Sequence, residues 1–192
     1  MKFLVIRKRH LMFAAGVILA LAIFCAVNSP PTVAASVATR QLPIYCVGRD
    51  DNVISISFDA AWGNEDTQTL IDILAKYDVK TTFFVVGDWV DKYPESVKAL
   101  HDAGHEIMNH SKDHAHYNNL STDEIIADVN ACNDKIEAIT GVRPALIRCP
   151  YGEYDDHVIA AIRSIGMEPI QWDVEVYETD ESPCGARDTR YF

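Results

Sequence analysis

The sequence predicts an α/β domain built on a parallel sheet, either open or closed into a barrel. Two observations carry that expectation. From Val53 to Val174, short apolar runs alternate with segments of helical periodicity. Their order, βαβαβαβαβ, leaves no tight hairpins and so requires right-handed crossovers between parallel strands.

The elements follow in order. "VISISF" (53–58) alternates as a strand. "TQTLIDILAKY" places Leu70, Ile71, Leu74 and Tyr77 at helical spacing, with Thr67 available as its cap. "TTFFVVG" is β-branched and aromatic, a buried strand stopped by Gly87. "PESVKALHDAG" has proline early and glycine late, the usual helical asymmetry, and "HEIMNH" returns to strand. "STDEIIADVNACNDKIEAITG" opens with a capping box from Ser121 to Glu124. It carries Ile125, Val129, Cys132, Ile136 and Ile139 on one stripe and stops at Gly141. "ALIR" is a short strand, "DHVIAAIRSIG" a helix, and "PIQWDV" the fifth strand.

The N-terminus reads differently. "MKFLVIRKRH" is basic and Leu11–Val27 is an unbroken apolar run, followed by small residues at Val33 and Ala35. That is the pattern of an export signal, cleaved or retained as an anchor, over residues 1–35. The domain is then expected outside the cytoplasm, on the cell-wall side, touching membrane only through this segment. Residues 36–51 form a polar approach, a linker followed by a short edge element, and the domain proper is 52–192.

The whole chain carries a net charge of −11; without residues 1–35 it has 13 basic and 28 acidic residues. Such a surface repels nucleic acid and anionic headgroups and suits neutral or cationic partners. Cys25 lies in the apolar run, and Cys46, Cys132, Cys149 and Cys184 contain no C-x-x-C, so a zinc ribbon has no support.

In parallel α/β folds the chemistry gathers where strands end. The polar residues at those points are Asp59, Asp88, the trio His110, His114 and His116, Arg148, and then Asp173 and Glu175. His110 and His114 are four apart just past a strand, a spacing that lets two imidazoles reach one metal ion. Asp59 fits a base for a water at that ion, and Arg148 can hold Asp59 ionised by pairing with it.

The motifs "SFDAAWG", "KTTFFVVGDWV", "GHEIMNHS", "HSKDH" and "RCPYG", in this order over about 53–174, resemble the polysaccharide deacetylases (the NodB-homology domain, carbohydrate esterase family 4). The resemblance implies a distorted (β/α) barrel and a divalent metal, usually zinc. It implies hydrolysis of N-acetyl groups on amino sugars of a chitin-like polymer or peptidoglycan. It makes Asp59 the general base tuned by Arg148, His110 and His114 metal ligands, and the Tyr151 N–H an oxyanion donor. An O-acetyl polysaccharide esterase and a catalytically inactive glycan-binding form are the other readings of the same scaffold.

Three departures qualify it. The family's second consecutive aspartate, a metal ligand, is Ala60 here, so a third ligand must come from Asp66 or Glu65, with Asp66 favoured, or be lacking. After "QWDV" the family's tryptophan-containing motif dissolves, although Glu175 can stand in for its first acid. The closing leucine-x-histidine has no counterpart, because His157 is the last histidine. The expectation is therefore a barrel lacking its last strands, incomplete after about residue 175, from a coding sequence cut by a frameshift or premature stop.

Overall fold

The computed structural model describes residues 8–9, 12, 16–21, 40–48, 50–51 and 53–174. The chain divides into two compact units, 1–39 and 40–192. In the first, residues 16–21 are helical, and most of the apolar run lies outside the described residues. Among the described residues no helix is long and apolar enough to cross a membrane.

The second unit holds five parallel strands in sequential order, β1 (Ser57–Ala60), β2 (Thr82–Val85), β3 (Glu106–Asn109), β4 (Leu146–Ile147) and β5 (Glu168–Pro169). Between them lie α1 (Thr67–Lys76), α2 (Gly87–Lys92), α3 (Pro94–Asp102), α4 (Thr122–Thr140) and α5 (Asp156–Ser164). Beyond β5, Ile44 bridges Ile170 in parallel. The sheet made by the described residues is not closed: β1 has β2 alone as its ladder partner.

The two-residue period of the strands sorts the faces. Phe58, Phe83 and Ile107 are register partners and share one face. That face packs with Val85, Val97, Leu100, Trp89 and Ile136 into a buried cluster beneath the helices, and Ala60 packs there too. A second cluster joins Tyr117, Ile125, Val129, Ile147, Val158 and Ile162. The opposite face carries Asp59 beside its register partners Phe84 and Met108.

That opposite face is concave. Arg148, one residue past β4, donates hydrogen bonds to Asp59 and Ser57 of β1. In a flat sheet those strands would stand about 14 Å apart, three spacings of about 4.8 Å, beyond the reach of one side chain. The sheet therefore curls until its fourth strand's terminus faces its first.

Helix ends follow local chemistry. The capping box of α4 is formed, with the Ser121 side chain accepting from the Glu124 N–H and the Glu124 carboxylate accepting from the Ser121 N–H at 2.8 Å. Gly141 ends that helix in the left-handed region at φ 72°. Asp155 caps α5 by accepting from the N–H groups of His157 and Val158.

Several expectations are corrected. Asp66, not Thr67, is the N-cap of α1, and its side chain makes no capping bond. β1 begins at Ser57 rather than Val53, because β2 starts opposite it at Thr82 and leaves the earlier residues without a ladder partner; Ile54 is 87% exposed. "GDWVDK" forms a helix, α2, that sequence reading passed over. The run "PIQWDV" contributes to pairing through Pro169 and the Ile170 bridge, and Asp173 is exposed. Glu175 and the tail to residue 192 lie outside the described residues.

Candidate functional site

Asp59 sits on the concave face because Ser57 and Asp59 are two apart on β1 and Phe58 points into the core. Arg148 Nη1 donates to Asp59 Oδ1 at 2.7 Å and its Nη2 donates to Ser57 Oγ at 2.8 Å. The guanidinium lies 4.2 Å above the Phe84 ring centre and is 5% exposed. It is thus held by a carboxylate, a hydroxyl and an aromatic face at once.

His110, one residue past β3, is equally buried, and its Nδ1 lies 2.7 Å from the Arg148 carbonyl oxygen. A carbonyl only accepts, so Nδ1 carries the proton and Nε2 is the bare nitrogen. Nε2 stands 3.8 Å from Asp59 Oδ2, the oxygen that Nη1 does not engage. Burial lowers the His110 pKa from its usual value, outweighing the Asp59 charge that raises it. That favours the neutral imidazole, the form that binds a metal.

His114 arrives by a strained path. Ser111 and His114 have φ of 72° and 62°, a region costing about 1–3 kcal/mol for residues other than glycine. Four hydrogen bonds hold the loop there. Ser111 Oγ accepts from the His114 N–H, and Asn109 Oδ1 accepts from the Ser111 N–H at 2.7 Å. Asn109 is itself fully buried and donates to Asn133 and to the Val129 carbonyl on α4. Asp128 of α4 accepts from the Lys112 N–H and from the Tyr117 hydroxyl. Gly87 completes the clamp: its N–H donates to the Ser111 carbonyl, and a Cβ there would meet the Lys112 carbonyl oxygen at 2.9 Å.

The His110 and His114 rings stand 5.0 Å apart, edge to face. His114 Nδ1 is buried without a hydrogen-bond partner. Its pKa is lowered by burial first and by His110 second. Tyr151, in the 3-10 turn Pro150–Gly152, packs edge-on against His114 at 4.4 Å. Its backbone is left-handed at φ 59°, and its N–H lies in the first turn of the 3-10 segment, where donors lack a carbonyl one turn back. The His116 ring lies parallel to that of Tyr151 at 4.0 Å and pairs with Glu153.

Two neutral imidazoles beside a carboxylate fit part of a divalent metal's donor set; a catalytic zinc commonly has three protein ligands. Among the described residues no group of three or more His, Cys, Asp or Glu is arranged to hold an ion. Asp66 is exposed at the start of α1 and is not brought to the histidines. Asp88 is likewise outside the constellation, in the first turn of α2 with Lys135 at 3.7 Å. Of the strand-end residues the structure brings Asp59, Arg148, His110 and His114 together and leaves Asp88 aside; of those the resemblance added, Tyr151 joins them and Asp66 does not. It missed Asn109, Asn133 and Gly87, whose signal is an amide or glycine at a strand end next to a polar loop.

Residues 47–170 match the family model described as Polysaccharide deacetylase. Peptidoglycan-N-acetylmuramic acid deacetylase PdaC of Bacillus subtilis is 36% identical over 129 residues, 67% of this chain and 27% of that protein. Chitin deacetylase 1 of Cryptococcus neoformans is 37% identical over 123 residues, 64% of this chain and 26% of that one. A crystal structure described as a CE4 family pseudoenzyme from Bacillus anthracis superposes with a TM-score of 0.66 at 34% identity, covering 68% of this chain and 47% of that one. A mutant described as a CE4 family pseudoenzyme with restored enzymatic activity superposes equally well at 36% identity, covering 68% and 48%. The chain spans about a quarter to a half of the length of the curated relatives it matches.

Proposed function

Because the chain belongs to the polysaccharide deacetylase family, we propose that its site hydrolyses N-acetyl groups on the amino sugars of an extracellular polysaccharide, peptidoglycan or chitin-like, releasing acetate. The observation that carries the reading is the division of labour on Asp59. Arg148 engages Oδ1 at 2.7 Å, while Oδ2 is turned toward His110 Nε2.

Oδ2 accepts the proton of a water attacking the acetamide carbon, the work of a general base, and that proton passes to the amine nitrogen as the C–N bond breaks and acetate leaves. The Arg148 charge and the Ser57 hydroxyl keep the pair in place while that proton arrives. The Tyr151 N–H, fixed by the left-handed turn, donates to the carbonyl oxygen as it gains charge, and such fixed donors need no reorganisation at the moment of reaction. His110 and His114 would hold a divalent ion, zinc by donor type, which when bound supplies Lewis acidity to the same oxygen. The orphaned His114 Nδ1 and the bare His110 Nε2 support that assignment. The acidic surface tolerates both a neutral acetylated glycan and its cationic amine product.

A second reading, a glycan-binding form without turnover, is favoured by Ala60, whose methyl packs into the core, and by the two-donor set. One experiment separates them: acetate release from N-acetylglucosamine oligomers and peptidoglycan fragments, with added zinc, by the wild type and Asp59→Asn. Release lowered about 10²–10⁴-fold by the substitution supports the base. No release from the wild type, on N-acetylated or O-acetylated substrates, would sink the hydrolase reading.

A further inference from the structure

Two large aromatic side chains stand in solvent against the same imidazole. Trp62 is 82% exposed and Tyr151 55% exposed, and their ring centres lie 5.5 and 4.4 Å from that of His114. A single exposed aromatic ring is ordinary. Two that share a contact with a half-buried residue of the candidate site are a shaped surface.

Neither ring is carried on a slack support. The residue after Trp62, Gly63, has φ 63°, and its carbonyl accepts from the indole N–H of the buried Trp89 at 2.5 Å. Asn64 then donates to Ser96 Oγ on α3 at 3.1 Å. The peptide that displays Trp62 is thereby pinned to the core at two successive residues. Tyr151 is held by its own left-handed turn and backed by His116, whose ring lies within 7° of parallel and is fixed by both Glu153 oxygens at 3.0 and 3.1 Å.

We propose that Trp62 and Tyr151 form an aromatic cradle that stacks on a sugar ring of the glycan while the acetamide of the reacting residue enters the site at Asp59 and His110. The proposal rests on the polysaccharide reading above and names how the polymer is gripped. The occupant follows from chemistry. A pyranose presents a face of C–H groups, which suits the negative face of an aromatic ring, and its hydroxyls stay at the rim in water. An anionic occupant is disfavoured by the net charge of −11, and a flat nucleobase, which aromatic platforms also stack, comes attached to a phosphate chain that this charge repels. Tethering by Trp62 also fits the loop's place: it follows β1 directly, so the ring that grips the chain and the carboxylate that works on it are three residues apart.

The test uses the full chain and the N-acetylglucosamine tetramer as probe, with binding measured by calorimetry and by tryptophan emission. Trp89 is buried but Trp172 lies beside Arg148, its ring centre 5.6 Å from the guanidinium, so only the part of the emission change that disappears in Trp62→Phe is assigned to Trp62. Trp62→Ala is expected to weaken binding about tenfold, a loss of the order of one aromatic stacking contact. Trp62→Phe is expected to retain most of it, and near-ultraviolet dichroism checks that both variants fold as the wild type does. Equal affinity of wild type and folded Trp62→Ala, or no tetramer binding by the wild type at millimolar concentration, overturns the cradle. Acetate release with KM unchanged in Trp62→Ala overturns the cradle and leaves the hydrolase reading standing. Trp62-dependent binding without any acetate release does the reverse.

Discussion

The two halves of the site are built by opposite means. Asp59, Arg148 and His110 are set by regular strands: their positions follow from a two-residue period and a curled sheet, and Arg148 and His110 are about 95% buried with directed partners. His114, Tyr151 and Trp62 hang from turns; His114 and Tyr151 have positive φ, and both aromatic rings lie mostly in water. The first half is rigid because its residues stand on the paired strands or one residue past them. The second is rigid only because particular side chains hold strained backbone in place. Proton chemistry needs the former, where a carboxylate must keep one partner and one orientation. Ligand contact is served by the latter, where surface must remain open.

The sharpest way to break the contrast is Arg148→Met. It leaves Asp59 without its cation in a half-buried setting and should destabilise the chain by about 3 kcal/mol, the lower end for a broken buried pair. Urea unfolding would measure it, and a loss under 1 kcal/mol would mean the strand half is not held by this contact. Gly87→Ala attacks the other half at its support. The new Cβ meets backbone atoms of Lys112 at 2.9 and 3.1 Å, so the histidine loop must move. We expect a loss of about 1–3 kcal/mol together with weaker binding of zinc to the chain, while a variant as stable as the wild type with unaltered zinc affinity would show the loop to be slack.

Tyr117→Phe is gentler. It removes a hydroxyl that donates to Asp128 at 2.6 Å and leaves the carboxylate with the Lys112 N–H. A loss of about 1 kcal/mol is expected, and hydrogen exchange at Lys112 and His114 should quicken if this bond helps clamp the loop.

The smallest effect sharpens the contrast by serving as a control away from the site. His105 is buried where α3 returns to β3, and its Nδ1 accepts from the Thr81 N–H. Burial, and then Lys80, lowers its pKa. Because the unfolded chain takes up this proton first, stability is full above about pH 6.5 and falls as pH drops through the lowered folded value. His105→Gln should flatten that part of the stability profile between pH 5 and 7. An unchanged slope would assign the acid sensitivity elsewhere.

Much of the strand half was legible in the sequence. Alternation in "SISFDA" puts Ser57 and Asp59 on one face, and Arg148 falls at the end of a later strand, but the curl of the sheet that carries it across to them is not written in the strand order. The capping box of α4 reads directly because its chemistry is local. The turn half was legible only as residue types. Nothing in "HSKDHAH" announces that Ser111 and His114 take positive φ, since the restraints come from Asn109, Asn133 and Gly87, far apart along the chain. α2 was hidden for a related reason: "GDWVDK" buries Trp89 and Val90 as an apolar pair, which without a longer period is as strand-like as helical. Asp66 was favoured as an oxygen donor that could stand in for the acid missing at Ala60; it lies exposed at the N-cap of α1, which its residue type alone does not reveal.

Arg148 has a further consequence for how this molecule fails. One guanidinium joins the end of the fourth strand to the first across the hollow of the sheet, so the distance between those strands and the readiness of Asp59 are a single variable. Warmth or denaturant that merely flattens the sheet would disarm the carboxylate while every helix is still intact. Inactivation should therefore run ahead of unfolding, and a loss of helical signal would be a late sign of damage already done.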